Sequence, residues 1–171
     1  MLSGCIGMEK EKLIVSACLL GENTRYDGGA CPLAMRILDG LYDKFDVFPV
    51  CPEYLSGLPV PRLPSEIEPG RTGEDVLSLN AKVFSSCGGD LTTEFLKGAE
   101  SAGKTAADNN IRKALLKERS PSCGKKFIYD GTFSGKIVEG SGVTATLLKN
   151  QGVEIFSEEE LESLAGKIPW Y

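Results

Sequence analysis

Three of the six cysteines lie just after short apolar segments that are typical of buried strands. They are Cys18, Cys51 and Cys123, which are separated by 33 and 72 residues. In an open parallel sheet, binding sites lie outside the carboxyl ends of the strands, so thiols at three such ends can converge. Position alone leaves two interpretations open: a shared metal site, or a coincidence of three free thiols.

The chain contains no histidine, and this restricts the chemistry in which the cysteines can take part. Ser-His-Asp triads, Cys-His pairs, haem held by His and Cys-His zinc sites are all excluded. A metal site must therefore be built from thiolates or carboxylates, and soft thiolates favour zinc or iron–sulfur clusters. Proton transfer must use Asp, Glu, Lys, Tyr, Cys or water.

The remaining cysteines, Cys5, Cys31 and Cys87, are expected to be free thiols without a role in the chemistry. No C-x-x-C pair occurs, which removes the strongest signal of a zinc knuckle or a thioredoxin-like site. A disulfide framework is not expected, because the sequence predicts a cytoplasmic protein and the cytoplasm keeps thiols reduced.

The composition predicts one ordinary globular domain. The chain has 171 residues, of which 42% are hydrophobic and 25% charged. We expect residues 1–12 to form a poorly ordered extension and residues 13–171 a single domain. No apolar run approaches the roughly 20 residues that span a bilayer, so no membrane partner is expected. The net charge of −5 argues against binding of duplex nucleic acid and favours a small ligand.

Apolar periodicity predicts an alternation of strands and helices. The predicted strands are 13–15, 47–50, 114–116 and 153–156, a hairpin joins 127–129 to 137–138, and the predicted helices are 33–41, 95–106, 142–149 and one after 157. Pro32 is expected in the first turn of the first helix, and Ser157 with Glu160 as a capping box of the last. This order predicts an α/β fold with a mostly parallel sheet covered by helices.

The segment Pro52–Arg71 differs from the rest because it carries five of the nine prolines and shows no periodicity. A structureless stretch of this length inside a compact domain is usually a functional loop. We expect it to be stiff and to form a wall of the ligand site.

Seven short motifs, taken together and in order, resemble the thiouracil desulfurase family, long catalogued as a bacterial domain of unknown function. The resemblance covers about residues 13–160, and the motifs are VSACLLG (15–21), RYDG (25–28), VCPE (50–53), GLPVPR (57–62), SPSCG (120–124), YDG (129–131) and GSGVTA (140–145).

The resemblance implies a Rossmann-like three-layer domain that holds an oxygen-sensitive 4Fe–4S cluster through three cysteines. The matching positions are Cys18, Cys51 and Cys123. It also implies that the fourth iron, without a protein ligand, takes sulfur from a thiolated pyrimidine such as 2-thiouracil, in a net hydrolysis that releases sulfide. The chain departs from the pattern at Cys31, near which a lysine is expected; this brings Cys31 into consideration as a neighbour of the site.

Further site residues follow from the same motifs. Glu53 and Ser120 are predicted to be catalytic, the former as a general acid or base, and the predicted substrate-binding residues are Arg25, Tyr26, Asp27, Arg62 and Ser122. For the two serines the alternative is that they satisfy backbone groups of a turn. For the segment 25–27 the alternative is a solvated turn.

Gly140-x-Gly142-x-x-Ala145 superficially matches a dinucleotide-binding fingerprint, but it lacks the second βαβ unit and the acidic residue that accompany one. The simpler interpretation is a tight turn that leads into a helix, whose N-terminus could bind an anion. Two rivals to a desulfurase remain open at this point: an iron–sulfur or sulfur carrier without turnover, and a binding module stabilised by zinc.

Overall fold

The computed structural model describes residues 9–165 of the chain. The predictions made for Cys5 and for most of the N-terminal extension lie outside these residues. None of the helices in the described range is long and apolar enough to cross a membrane.

Eight strands and six α-helices alternate along the described chain. The strands are β1 (Glu11–Ser16), β2 (Phe45–Val50), β3 (Ser65–Ile67), β4 (Val83–Ser85), β5 (Lys113–Leu116), β6 (Phe127–Tyr129), β7 (Ile137–Glu139) and β8 (Glu154–Ser157). The helices are α1 (Met35–Lys44), α2 (Pro52–Leu55), α3 (Gly73–Leu77), α4 (Thr92–Asp108), α5 (Val143–Asn150) and α6 (Leu161–Ala165).

Four of the strands form one parallel sheet in the order β2-β1-β5-β8. Two antiparallel pairs, β3-β4 and β6-β7, stand outside this sheet. The predicted α/β architecture, with a mostly parallel sheet and a small hairpin insertion, is confirmed.

Alternate residues of the central strands point to opposite faces, and this builds three layers. Ile14 and Ala114 pack with apolar side chains of α4 and α5 on one face. Leu13, Val15 and Leu115 pack with side chains of α1 and α6 on the other. Since β1 and β5 are covered on both faces, their sequences are continuous apolar runs, which is why pattern analysis finds them.

The structure corrects three local predictions. Pro32 precedes α1, which begins only at Met35. The segment Pro52–Arg71 is not structureless, because it contains α2 and β3. At the last helix only half of the capping box forms: the Glu160 carboxylate accepts the Ser157 backbone N–H, and the Ser157 hydroxyl donates to the same carboxylate.

Candidate functional site

The carboxyl ends of β1, β2 and β5 open onto one cavity of about 620 Å³. This volume lies within the range of roughly 300–1,000 Å³ that is usual for small-molecule sites. Cys18, Cys51 and Cys123 all line it, and their thiols interact electrostatically with one another. The three sheet-end cysteines therefore do converge, although they are far apart in sequence.

Cys18 lies in a 3-10 turn, Ala17–Leu20, that ends at Gly21 in the left-handed conformation. Behind it, the backbone N–H of Cys31 donates to the Cys18 carbonyl at 3.0 Å, and the two thiols hydrogen-bond to each other. Cys31 does not line the cavity. Its hydrogen bonds with Cys18 and Arg25 lower the pKa of Cys31 to about 6, whereas the same thiol–thiol bond and burial raise the pKa of Cys18.

Cys51 caps the N-terminus of α2, with Pro52 at the first helical position and Glu53 in the first turn. Proline suits that position because its fixed φ is already helical. The turn can approach α4 closely because Gly98 lacks a side chain there; a Cβ on Gly98 would lie 2.3 Å from the Pro52 carbonyl oxygen. The short helix thereby directs Glu53 into the cavity beside Cys51.

Glu53 forms a buried ion pair with Arg62. Both Nε and a terminal nitrogen of Arg62 lie 2.7 Å from Oε2 of Glu53, and the side chains are only 6% and 12% exposed for Arg62 and Glu53 respectively. The carbonyl oxygen of Thr24 accepts two further hydrogen bonds, one from Arg62 at 3.1 Å and one from the Cys51 thiol at 3.7 Å. The proline-rich segment thus supplies a wall of the cavity, with its arginine turned inward.

Cys123 sits in a turn that Ser120 organises. The Ser120 hydroxyl oxygen accepts the backbone N–H groups of Ser122 and Cys123, each at 3.1 Å. Burial raises the pKa of the Cys123 thiol to about 12, although hydroxyl groups of Ser16 and Ser122 lie within hydrogen-bond distance of the sulfur. A buried thiol of this kind becomes an effective ligand only when a metal displaces its proton.

The same turn occupies the N-terminus of α5. The N–H of Val143 donates to the Pro121 carbonyl, and those of Thr144 and Ala145 donate to the Ser122 carbonyl. The backbone N–H groups that would bind an anion are therefore already hydrogen-bonded, and the Gly140-x-Gly142 motif forms the tight turn that leads into α5. A Cβ on Gly142 would lie 2.5 Å from the carbonyl carbon and oxygen of Ser122, so the close approach requires glycine.

The structure brings most of the predicted site residues into the cavity but not all of them. Arg25, Tyr26, Arg62, Glu53 and Ser120 line it.

Two predictions of substrate contact disagree with the structure. Ser122 is 1% exposed, and its hydroxyl hydrogen-bonds to Thr144 at 2.9 Å, outside the cavity. Asp27 also lies outside the cavity, where its carboxylate binds the Arg25 guanidinium and the Gly29 N–H. The Arg25 hydrogen bond lowers the pKa of Asp27. The Asp27 carboxylate stabilises its own turn through local partners, whereas the Ser122 hydroxyl joins the Cys123 turn to α5.

Cys87 is exposed and does not line the cavity, and its thiol lies 3.2 Å from the Ser85 hydroxyl. This agrees with the expectation of a thiol outside the site. Cys31 differs from that expectation, because it contacts one of the three cavity thiols.

Sequence reasoning missed two buried carboxylates that line the cavity, Glu66 and Glu118. One oxygen of Glu118 accepts the backbone N–H groups of Lys125, Lys126 and Phe127, which fixes the chain after the Cys123 turn. Glu66 holds a second loop in the same way. No local pattern marks either residue, since their partners lie elsewhere in the chain.

The donor set fits an iron–sulfur cluster. Within residues 9–165, no three Cys, Asp or Glu side chains lie close enough together to hold a single metal ion. Cysteine thiolates are the donors that an iron–sulfur cluster uses, and three cysteine thiols line this cavity. Cys18, Cys51 and Cys123 are the residues that can hold it.

Comparison with known proteins identifies the family of the chain. The 2-thiouracil desulfurase family matches residues 13–160. YbbK, an uncharacterized protein of Bacillus subtilis (strain 168), is 45% identical over 152 residues, which are 89% of this chain and 99% of YbbK. The solved structure of the 4Fe-4S-dependent thiouracil desulfidase TudS (DUF523Vcz) superposes with a TM-score of 0.81 at 45% identity, covering 91% of this chain and 96% of that one. By its sequence and its fold, the chain belongs to the 2-thiouracil desulfurase family.

Proposed function

We propose that the protein removes sulfur from a thiolated pyrimidine base without net electron transfer, using a 4Fe–4S cluster held by Cys18, Cys51 and Cys123. For 2-thiouracil, water supplies the oxygen of the product, a carbon–sulfur bond breaks, and uracil and sulfide leave. When bound, the cluster supplies an iron without a protein ligand that accepts sulfur. The observation that supports the proposal is that the thiols of Cys18, Cys51 and Cys123 line a single cavity together with the carboxylate of Glu53.

Glu53 is the group proposed to move protons. Arg62 engages Oε2 with two nitrogens, so Oε1 is the oxygen through which Glu53 exchanges a proton with water or substrate. Because Arg62 is buried with it, the carboxylate keeps a fixed direction into the cavity. A positioned acid or base of this kind contributes roughly 10²–10⁴ to a rate.

Ser120 is proposed to donate a hydrogen bond to the substrate or to the leaving sulfur. Its oxygen already accepts two backbone N–H groups, so the proton of the hydroxyl is the part left to act in the cavity. Arg25 and Tyr26 form the neighbouring wall, where the guanidinium lies 5.7 Å from the centre of the tyrosine ring. This wall suits a flat, polar ring, because it offers one aromatic face beside hydrogen-bond donors.

The family and the solved relative support an enzyme that acts on a small thiolated base. The finer points, namely the hydrolytic course, the ligation by three cysteines and a cytoplasmic location, are our proposals. They are consistent with cavity thiols that are free of disulfides.

The experiment is anaerobic reconstitution followed by an assay. Protein loaded with iron and sulfide under argon should be brown, contain about four irons per chain, and release sulfide and uracil from 2-thiouracil. Replacing Cys18, Cys51 or Cys123 by Ser should remove most of the iron, because an alcohol is a poor ligand for iron in such a cluster. Cys87→Ser is the matched control and should keep the parent's iron content, since that thiol is exposed and does not line the cavity.

Two outcomes would count against the proposal. Full iron content in all three ligand variants would remove the assignment of the ligands. A loaded parent protein that releases no sulfide from any thiolated pyrimidine would favour a carrier instead of an enzyme.

A further inference from the structure

The loop between β6 and β7 places an aromatic ring at the cavity. Phe133 lines the cavity and is 38% exposed. It belongs to none of the three apolar clusters that the described residues form. The ring therefore does not contribute to the packing of those cores, and its place beside the cavity needs another explanation.

The backbone at this position is strained. Phe133 has a φ of +55°, in the left-handed region that bulky side chains avoid. A buried carboxylate maintains it: Oε2 of Glu66, a residue 7% exposed on β3, accepts the N–H of Phe133 at 3.0 Å and that of Gly131 at 2.8 Å. Strain that the surroundings enforce in this way is concentrated at functional sites.

We propose that Phe133 provides the face on which the pyrimidine ring of the substrate stacks, and that Glu66 is the positioning residue that holds it there. The inference depends on the proposed function, since it concerns recognition by the same cavity. A thiolated pyrimidine is flat and aromatic, and stacking on an aromatic side chain leaves the edge of the base, with its sulfur, free to face the thiols.

Phe133→Gly is the sharpest variant, because the two possible roles of Phe133 predict opposite results. Glycine adopts a φ of +55° without strain, so the melting temperature should stay the same or rise. The KM for 2-thiouracil should rise about 5- to 150-fold, which is the size of a lost base–aromatic stack, while kcat and iron content change little. A purely structural role would instead lower the melting temperature and leave KM unchanged.

Phe127 offers a matched control. It belongs to the same hairpin and is also 38% exposed, but it does not line the cavity. Phe127→Ala should therefore leave KM and kcat at the parent's values. Phe133→Tyr keeps the aromatic face and should bind the base nearly as the parent does, whereas Phe133→Leu keeps apolar bulk without that face and should not.

The role of Glu66 is tested through Phe133. Glu66→Ala should raise KM because the N–H groups of Gly131 and Phe133 lose the oxygen that accepts them, while Glu66→Gln keeps an acceptor oxygen and should raise KM less. If Glu66 acts through the ring, the double variant Glu66→Ala with Phe133→Gly should bind no more weakly than Phe133→Gly alone. Fully additive losses would overturn the positioning role.

Equilibrium dialysis of uracil against loaded protein separates this inference from the proposed function. A parent protein that binds uracil but releases no sulfide from thiobases would refute the proposed activity. Weaker binding of uracil by Phe133→Gly would in that case still support the stacking face. A parent that turns over 2-thiouracil while Phe133→Gly keeps the same KM overturns the stacking face alone. A parent that neither binds a pyrimidine nor releases sulfide overturns both.

Discussion

Replacing Glu53 by Gln separates a proton-transfer role from a structural one. The change removes the exchangeable proton while it nearly preserves the shape of the side chain. It also leaves the guanidinium of Arg62 without its counterion, in a site where the two side chains are only 6% and 12% exposed. Two effects of different origin are therefore expected from one substitution.

Their sizes follow from the geometry. Removing one partner of a buried ion pair costs about 3–5 kcal/mol when the other charge is left bare. Here the amide oxygen can still accept a hydrogen bond from Arg62, so the expected loss of unfolding free energy is about 2 kcal/mol. In a chain of this size that lowers the melting temperature by about 4–8 °C. Turnover should fall by about 10²–10⁴ if Glu53 moves the proton.

A second substitution distinguishes the two effects. In the double variant Glu53→Gln with Arg62→Gln, no unpaired charge remains, so part of the lost stability should return. Turnover should stay low, because the proton donor is still missing. Both variants and Arg62→Gln alone are loaded under argon, and their iron content, melting temperature and rate of sulfide release from 2-thiouracil are measured.

Either of two results would refute the reasoning. Glu53→Gln with a full complement of iron and the parent's turnover would remove Glu53 from the chemistry. Recovery of turnover in the double variant would show that the unpaired arginine, and not the lost proton, caused the defect.

Three further predictions concern the surroundings of the site. Gly142→Ala should lower the melting temperature by about 2–12 °C, because its Cβ would lie 2.5 Å from backbone atoms of Ser122 and such overpacking costs about 1–3 kcal/mol; an unchanged melting temperature would contradict this. Ser120→Ala removes the acceptor of two backbone N–H groups. It should therefore destabilise the protein by about 1–2 kcal/mol in denaturant titration and slow turnover less than Glu53→Gln does. Burial alone would raise the pKa of Glu160, but hydrogen bonds from Lys125 and Lys126 lower it to about 2. The ionised carboxylate therefore contributes to the unfolding free energy above about pH 4.5, and this contribution is lost as the pH falls towards 2. After allowance for solvent screening that contribution is about 1 kcal/mol, and Glu160→Gln should flatten the pH dependence of the unfolding free energy in this range.

The sequence alone predicted the parts of the fold that have a local signature. β1 and β5 are buried on both faces, so they appear as uninterrupted apolar runs, and α4 carries its small apolar residues at helical spacing. The positions of Cys18 and Cys51 just after β1 and β2 follow from the same pattern, whereas Cys123 lies in a turn seven residues after the end of β5. The convergence of these residues then depends only on the rule that parallel strands end at one edge.

Other features depend on partners that no local pattern contains. The contact between Cys31 and Cys18 arises because the loop after the 3-10 turn folds back, with a backbone hydrogen bond at 3.0 Å. Glu66 appears in the sequence as one acidic residue among several, yet it binds backbone 65 and 67 residues away. The SPSCG motif suggests a substrate contact for Ser122, whereas its hydroxyl hydrogen-bonds to Thr144, 22 residues further along the chain.

The separation of the sheet from the two small hairpins has a consequence for divergence within the family. The three thiols extend from the edge of the four-stranded sheet, where any displacement disturbs the core. Glu66 lies on β3 and Phe133 in the β6–β7 loop, and these two antiparallel pairs share no strand pairing with that sheet. Substitutions at the positions of Glu66 and Phe133 can therefore change the wall of the cavity while the strand order of the parallel sheet stays the same.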